Sequence, residues 1–240
     1  MIRIEDLTIG FDNQIVLKDI NLTIPNNQNT LIVGQSGSGK SVLIKSIEGL
    51  IKPWSGKILI NETDIFSIKS KMMNSIRKKI GMLFQESALL DSFNVFQNIA
   101  LPLKEHTKYS EKEILNIVNK KLKLVGLDNI LHKMPHELSG GMKKRVALAR
   151  AIVLEPEYII YDEPTTGLDP TNANEIISLI TELQNKLNIT SIIITHDLEC
   201  IKRTAGKIVM LSSQKIIFDG NWQDFNNVSN YEVKKFLGKL

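Results

Sequence analysis

The sequence is poor in cysteine and in long apolar runs. Its one cysteine, Cys200, excludes an intrachain disulfide and a cysteine metal cluster, so we predict a structural thiol in a reducing compartment. The longest apolar stretches, such as 192–194 and 208–211, are far shorter than the roughly 20 residues that a membrane-spanning helix needs. Residues 1–6 turn acidic at once and lack the basic and then apolar run of a secretory signal. We therefore expect a cytoplasmic chain that does not cross a bilayer.

Aromatic residues are also scarce, at 6% of the chain, although the net charge is +4. The basic residues form short groups at 69–71, 77–79 and 143–145, and none of these groups has interleaved aromatic side chains that could stack on bases. We predict that these groups are solvated surface and that the chain has no nucleic-acid partner.

The order of apolar and polar segments is that of an α/β protein, and the length suits a single domain, residues 1–240. Short apolar runs predict the inner strands of a mainly parallel core sheet at 30–33, 57–60, 80–84, 158–161 and 191–195. Looser alternation predicts an antiparallel N-terminal sheet from 2–11 and 19–24, and a hairpin from 207–211 and 215–218. Strand signals stop between about 86 and 155, which predicts an inserted helical subdomain with helices at 95–101, 111–124 and 141–154.

The segment Gly34–Ser41, G-Q-S-G-S-G-K-S, fits the phosphate-binding pattern G-x-x-x-x-G-K-[ST] between a predicted strand and a predicted helix. The glycines let successive backbone N–H groups turn inward around a triphosphate, and the helix adds its positive end. We expect the lysine to reach the β- and γ-phosphates and the last serine to bind Mg²⁺. The predicted nucleotide-binding residues are Gly34, Gln35, Ser36, Gly37, Ser38, Gly39, Lys40 and Ser41.

The run 158–163, Y-I-I-Y-D-E, is an apolar strand that ends in two carboxylates. Because successive side chains of a strand point to opposite faces, we expect the two acids to have different roles. We predict that Asp162 faces Mg²⁺, and that Glu163 faces the γ-phosphate and polarises the attacking water. An ordinary acidic turn is the alternative interpretation.

A third pattern, Leu138–Met142 (L-S-G-G-M), precedes a strong helix-forming segment at 143–150. Ser139 is placed to cap that helix, and Gly140 and Gly141 leave its first N–H groups unobstructed, which predicts a second anion site. The alternative is an ordinary capped helix.

Together with 164–170 (P-T-T-G-L-D-P) and Thr195–Asp197 (T-H-D), these patterns resemble the ordered motif set of ABC (ATP-binding cassette) transporter ATPases, over essentially the whole chain. The resemblance implies a P-loop NTPase cassette that hydrolyses ATP for a separate membrane permease. In that family the signature helix of one subunit covers the γ-phosphate held by another. One cassette per chain then implies a head-to-tail homodimer, on the cytoplasmic face of the inner membrane.

The resemblance also implies roles for single residues. Phe11 matches the aromatic residue that stacks on adenine, and Gln85 matches the glutamine that contacts Mg²⁺. His196 matches the histidine that hydrogen-bonds the γ-phosphate, and Asp169 matches the acid at the dimer seam. Taken alone, Phe11 would be core and His196 a turn residue. Met142 departs from the family pattern, in which glutamine is usual at this position. The contact with the nucleotide of the other subunit should survive, because its hydrogen-bond donors are backbone N–H groups.

Two other functional classes are disfavoured by the sequence. A soluble ABC ATPase acting on DNA or on the ribosome would carry a long coiled-coil or zinc-binding insertion or a second cassette, and this chain has none of these. A nucleotide-binding module without turnover is disfavoured because Glu163 and His196 are both in place.

The cargo follows from a narrower resemblance. Residues 86–103 are expected to line the groove for a coupling helix of the permease, with Leu89, Leu90 and Phe93 either in that groove or in the helical core. With 139–145 and 231–237, they are similar to the ATPases of the Mla (maintenance of lipid asymmetry) and Mce systems. Those ATPases work with an MlaE-type permease and an MCE lipid-binding protein, which implies a phospholipid or other hydrophobic cargo between envelope membranes. Organic solvent, ribonucleotide, amino acid and lipoprotein remain alternative cargoes.

Overall fold

The computed structural model describes residues 1–239. Its strands are β1 (Ile2–Phe11), β2 (Gln14–Ile24), β3 (Asn29–Val33), β4 (Ser55–Ile60), β5 (Thr63–Asp64), β6 (Ile80–Leu83), β7 (Tyr158–Asp162), β8 (Thr190–Ile194), β9 (Lys207–Ser212) and β10 (Lys215–Gly220). Its helices are α1 (Lys40–Ile47), α2 (Ser70–Arg77), α3 (Val95–His106), α4 (Glu111–Leu124), α5 (Gly140–Ala151), α6 (Pro170–Leu187), α7 (Leu198–Thr204), α8 (Trp222–Asn227) and α9 (Tyr231–Phe236). None of the helices in this described part is both long and apolar enough to span a bilayer.

The chain divides into two compact units, Met1–Arg77 with the chain from Thr190 onward, and Lys78–Ile189. The first unit contains an antiparallel sheet in the order β2-β1-β4-β5. The long strand β1 pairs with β2 on one edge and with β4 on the other. The prediction that 57–60 is an inner strand of the parallel sheet is therefore wrong. A short apolar run does not specify its partner strand. Here β4 pairs antiparallel with β1, from Ile2 opposite Ile60 to Thr8 opposite Ser55.

The first unit also contains the parallel strands that carry the phosphate-binding pattern. β3 lies between β9 and β8 and is parallel to both, and all of its residues are buried. Burial on both faces is typical of an inner parallel strand, and it explains why the run reads as continuously apolar in its second half. The predicted hairpin is present as β9 and β10.

In the second unit, β6 and β7 form a parallel pair. The predicted helical segments at 95–101, 111–124 and 141–154 are present as α3, α4 and α5. Asn94 and Ser110 begin α3 and α4 with reciprocal capping hydrogen bonds, which explains why these helices start where they do. Both units contain parallel strands and helices, so the fold class is α/β as predicted. The bounds 86–155 for a separate helical subdomain stay a prediction.

Candidate functional site

The phosphate-binding loop joins β3 to α1. Gly34, Gly37 and Gly39 have φ angles of +150°, +77° and +97°, which glycine adopts at little steric cost. A Cβ atom at Gly34 would collide with the carbonyl oxygen of Leu211, whereas a Cβ at Gly37 would meet nothing within 4 Å. Packing therefore requires the first glycine, and the middle one lies on the open side of the loop.

The loop leads into a helix end that has no side-chain cap. Helices α3 to α9 each begin with a side chain that accepts a hydrogen bond from a backbone N–H group, whereas Gly39 offers none to α1. The positive end of α1 is thus left for an anion. The hydroxyl oxygen of Ser38 is buried and has no hydrogen-bond partner among the described residues. Both features fit the phosphate groups of a nucleotide.

Lys40 and Ser41 begin α1 beside this loop. Lys40 Nζ donates hydrogen bonds to the carbonyl oxygens of Gly34 at 2.7 Å and Gln35 at 2.9 Å, so its ammonium group lies against the loop. Ser41 is exposed in the same helical turn. A cation and a hydroxyl at these positions suit a phosphate group and a magnesium ion, respectively.

His196 follows β8 at the edge of the sheet where β3 leads into the phosphate-binding loop. β3 and β8 are parallel with Ile32 opposite Ile194, so Gly34 and His196 each come two residues after a paired position. The backbone N–H of Asp197 donates to Thr195 Oγ1 at 3.0 Å, which fixes the turn that holds the exposed His196. The histidine predicted to contact the γ-phosphate is thus at the strand end next to the loop.

Phe11 ends β1 at the tip of the hairpin with β2, and its side chain is 45% exposed. The hairpin packs against the phosphate-binding loop, because a Cβ atom at Gly39 would lie 2.7 Å from Leu17 and 3.4 Å from Val16. An exposed ring beside this loop can stack on a base. Val16 and Leu17 were not predicted, because an apolar residue in a strand carries no functional signal of its own.

In the second unit, β6 and β7 bring Gln85 and the two acids to one edge. Leu83 lies opposite Tyr161 in this parallel pair, and Gln85 and Glu163 each follow two residues later. Asp162 is the last residue of β7. An amide and two carboxylates therefore gather where the two strands end.

The separation of the two acids has a different cause from the predicted one. β7 ends at Asp162, and Glu163 has a φ angle of +48°, so strand alternation does not extend to Glu163. A left-handed turn sets the direction of its side chain instead. Such a conformation is uncommon for a residue with a Cβ atom and is concentrated at functional sites. Glu163 Oε2 is shielded from solvent.

Lys144 is a site residue that the sequence analysis missed. It is only 3% exposed, and its Nζ donates hydrogen bonds to the carbonyl oxygens of Gln85 at 2.5 Å and Glu163 at 3.4 Å. Burial lowers the pKa of Lys144, and the nearby carboxylates, among them Asp162, oppose that shift. The prediction that the basic group 143–145 is solvated is wrong for this residue, because its ammonium group is buried and donates to two backbone carbonyl oxygens.

The third sequence pattern, Leu138–Met142, is called the signature segment below, and its Ser139 caps α5 as predicted. Ser139 Oγ accepts a hydrogen bond from the backbone N–H of Met142 at 3.3 Å. Gly140 is exposed, but Gly141 is buried, and a Cβ atom there would collide with the amide oxygen of Asn172. A side chain at position 141 would thus displace the side chain of Asn172, a contact that was not predicted.

Asp169 caps α6. Its Oδ1 accepts hydrogen bonds from the backbone N–H groups of Thr171 and Asn172, both at 3.1 Å. The hydrogen bond from the side-chain amide of Asn172, followed by these backbone bonds, lowers the pKa of Asp169. Asn172 therefore contacts both the Asp169 carboxylate and the signature glycine Gly141.

The sequence model of the ABC transporter family matches residues 17–166. This chain belongs to the ABC transporter ATP-binding family. It is 39% identical over 237 residues to the intermembrane phospholipid transport system ATP-binding protein MlaF of Haemophilus influenzae, with 99% of this chain and 90% of the relative covered. It is also 39% identical over 236 residues to the probable ribonucleotide transport ATP-binding protein mkl of Mycobacterium tuberculosis, with 98% and 66% covered. The methionine import ATP-binding protein MetN of Campylobacter jejuni is 37% identical over 255 residues, with 100% and 76% covered.

Solved structures of ABC cassettes are similar to this chain in fold. CbiO1 of Clostridium perfringens, part of the ABC transporter complex cbiONQ, has a TM-score of 0.85 and 33% identity over 99% of this chain and 90% of that chain. The cassette MJ0796, in a dimeric post-hydrolysis state bound to ADP and Pi, has a TM-score of 0.83 and 29% identity over 92% of this chain and 98% of that chain. ATP binding by an ABC ATPase cassette is thus supported by sequence and fold.

The site residues of this ABC ATPase fall into two groups. The first unit holds Phe11, the phosphate-binding loop and His196, and the second holds Gln85, the acids, the signature segment and Asp169. Among residues 1–239, no group of three His, Cys, Asp or Glu side chains could hold a metal ion. Ser41 in the first unit, and Gln85 and Asp162 in the second, each carry a side-chain oxygen of the hard kind that magnesium prefers.

Replacing Phe11 by alanine is expected to weaken ATP binding about 2- to 10-fold, because the loss of one aromatic contact costs about 0.5–1.5 kcal/mol. Stability should change little, since the ring is already 45% exposed. The affinity is measured by calorimetric titration with ATP. Phe11→Tyr should bind as the unmodified protein does, and Tyr109→Ala, which removes an aromatic residue that is 50% exposed in the second unit, serves as the control. Equal affinity for Phe11→Ala and the control contradicts the stacking role.

Proposed function

We propose that this ABC ATPase drives the movement of phospholipid, or another hydrophobic molecule, between envelope membranes. Its partners are a separate permease of the MlaE type and an MCE-type lipid-binding protein, and it works on the cytoplasmic face of the inner membrane. The similarity to MlaF carries this proposal: at the same 39% identity, the match covers 90% of MlaF but only 66% of mkl. The local structure of the segment after Gln85 supports it.

The proposed catalytic roles follow the chemistry of each group. The phosphate-binding loop, from Gly34 to Ser41, holds the ATP phosphates through backbone N–H groups and the Lys40 ammonium group. Glu163 accepts a proton from the attacking water, and His196 donates a hydrogen bond to the γ-phosphate. Magnesium, when bound, neutralises charge on the phosphate oxygens; Ser41, Gln85 and Asp162 hold it.

The proposed working form is a head-to-tail homodimer. Dimeric structures of the cassette MJ0796, similar to this chain at 29% identity, support this arrangement. Ser139, Gly140 and Gly141 then contact the γ-phosphate held by the other subunit, and Asp169 lies at the seam. The exposure of Ser139, Gly140 and Asp169 agrees with such a contact. ATP binding closes the dimer and hydrolysis opens it, which moves the helices of the permease.

The segment after Gln85 is held as a rigid surface element. Asn98 makes four hydrogen bonds to backbone groups of this segment, two of them with Leu90. Arg150 donates hydrogen bonds to the carbonyl oxygens of Ser87 at 2.8 Å and Ala88 at 2.7 Å. These six hydrogen bonds satisfy polar groups that would otherwise need water, and they hold the shape of the loop.

This segment also leaves apolar surface open. Leu90 is 42% exposed, and Leu89 and Phe93 are half-buried. None of the three therefore belongs fully to the core, which favours the interpretation that they receive a coupling helix of the permease. We infer that a rigid loop with an apolar face transmits movement of the ATPase to that helix.

The lipid cargo is tested by reconstituting the ATPase with its copurified permease in liposomes of phosphatidylethanolamine and phosphatidylglycerol. We expect the purified complex to contain bound phospholipid, and ATP to drive the movement of a fluorescent phosphatidylethanolamine. A complex that carries Glu163→Gln is the inactive control. Hydrolysis that responds to methionine or to a ribonucleotide, with no lipid bound or moved, would show that the cargo assignment is wrong and would leave the ATPase assignment intact.

A further inference from the structure

Lys144 occupies an unusual position in the second unit. It lies on α5, five residues after the cap Ser139, and is 3% exposed. Its Nζ reaches the carbonyl oxygen of Gln85, where β6 has ended, and that of Glu163, where β7 has ended. One side chain of the signature helix therefore contacts the main chain of both residues that follow the two strands.

The choice of acceptors matters for the chemistry. A buried ammonium group is costly unless its protons are hydrogen-bonded, and here backbone carbonyls satisfy two of its three donors. These two hydrogen bonds of Lys144 go to the main chain, and not to the side-chain amide of Gln85 or the carboxylate of Glu163. The ammonium group is placed to hold the main chain at these two residues, and its charge also interacts with the carboxylate of Glu163.

We propose that Lys144 is a positioning residue for ATP hydrolysis, which sets the main-chain positions of Gln85 and Glu163 from the signature helix. This inference rests on the roles proposed for Gln85 and Glu163. It adds a direct link between α5, whose first turn carries Ser139 and Gly140, and the two loops of the same unit. A shift of α5 is then passed to both loops through one side chain.

The test compares Lys144→Met with Lys144→Arg and with a matched control, Lys121→Met. Lys121 is also a buried lysine of the second unit, 6% exposed, but it pairs with Glu155 at 3.0 Å and contacts none of the proposed site residues.

We expect kcat to fall about 10- to 100-fold in Lys144→Met, because small misplacements of catalytic groups cost about this much. The affinity for ATP should change less than about twofold, since the phosphate-binding loop lies in the other unit. Lys144→Arg should recover most of the rate, whereas Lys121→Met should keep the unmodified rate.

Hydrogen exchange measured by mass spectrometry tests the link without relying on turnover. In Lys144→Met, the amides of residues 84–90 and 162–168 should exchange faster, while Lys121→Met should leave them unchanged. If the unmodified protein does not hydrolyse ATP, the proposed function fails, and the exchange data still decide the link. Unchanged exchange in both segments, or a kcat of Lys144→Met within about twofold of the unmodified value, overturns the inference. Should Lys144→Met not fold, Lys144→Gln, which cannot supply the charged donors, is measured with the same criteria.

Discussion

The variant Glu163→Gln is expected to lose ATP hydrolysis by about 10²- to 10⁴-fold while it still binds ATP. The amide cannot accept the proton of the attacking water, and general-base catalysis contributes about that factor. Binding should persist because the groups that hold the phosphates are the N–H donors of the phosphate-binding loop and Lys40, none of which the substitution alters. The closed dimer should therefore accumulate with ATP, which size-exclusion chromatography and single-turnover measurements can detect.

Glu157→Gln is a suitable control for this variant. Glu157 precedes β7 and forms a surface ion pair with Lys79, at 2.6 Å between Oε1 and Nζ. Removal of its charge should leave hydrolysis unchanged, because exposed ion pairs contribute little to stability. Steady-state hydrolysis near the unmodified rate in Glu163→Gln would remove Glu163 from the role of general base, and failure to bind ATP would show that its carboxylate instead supports the structure.

Much of this protein could be predicted from its sequence because the informative patterns are local. The phosphate-binding pattern needs glycines at fixed offsets, and Gly34 and Gly39 take the positive φ angles and close contacts that explain them. Ser139 was expected to cap α5 from its place before a helix-forming segment, and it does so. The parallel strands β3, β7 and β8 were predicted because burial on both faces favours apolar residues at successive positions.

What the sequence could not provide are contacts between distant segments. Lys144 is 59 residues from Gln85, so nothing near it in the chain indicates that its charge is buried against that carbonyl oxygen. The pairing of β4 with β1 depends in the same way on a partner far along the chain. Asn172 had no signal either, because its contact with Gly141 depends on how α6 packs on α5. The left-handed conformation of Glu163 was missed because a strand pattern does not show where the strand ends.

Replacing Lys40 by alanine is expected to weaken ATP binding itself, in contrast to Glu163→Gln. The ammonium group lies against the phosphate-binding loop, held by the carbonyl oxygens of Gly34 and Gln35. In the proposed complex it faces the β- and γ-phosphates, where a charge-assisted hydrogen bond contributes about 1.5–3 kcal/mol, or about 10- to 100-fold in Kd. Calorimetric titration with ATP and with AMP measures the effect. The loss should be large for ATP and small for AMP, because AMP lacks the phosphates that Lys40 contacts.

Lys45→Ala is the matched control for Lys40→Ala, since Lys45 lies five residues further along α1 and its side chain is exposed. It carries the same charge and sits in the same helix, so removing it changes the net charge equally without touching the phosphate-binding loop. If both variants lose ATP affinity to the same extent, the effect comes from the general positive charge of the unit. If Lys40→Ala binds ATP as tightly as the unmodified protein, the lysine does not contact the phosphates. A loss confined to Lys40→Ala and to nucleotides with β- and γ-phosphates supports the proposed role, because the two lysines carry the same charge and only Lys40 lies against the phosphate-binding loop.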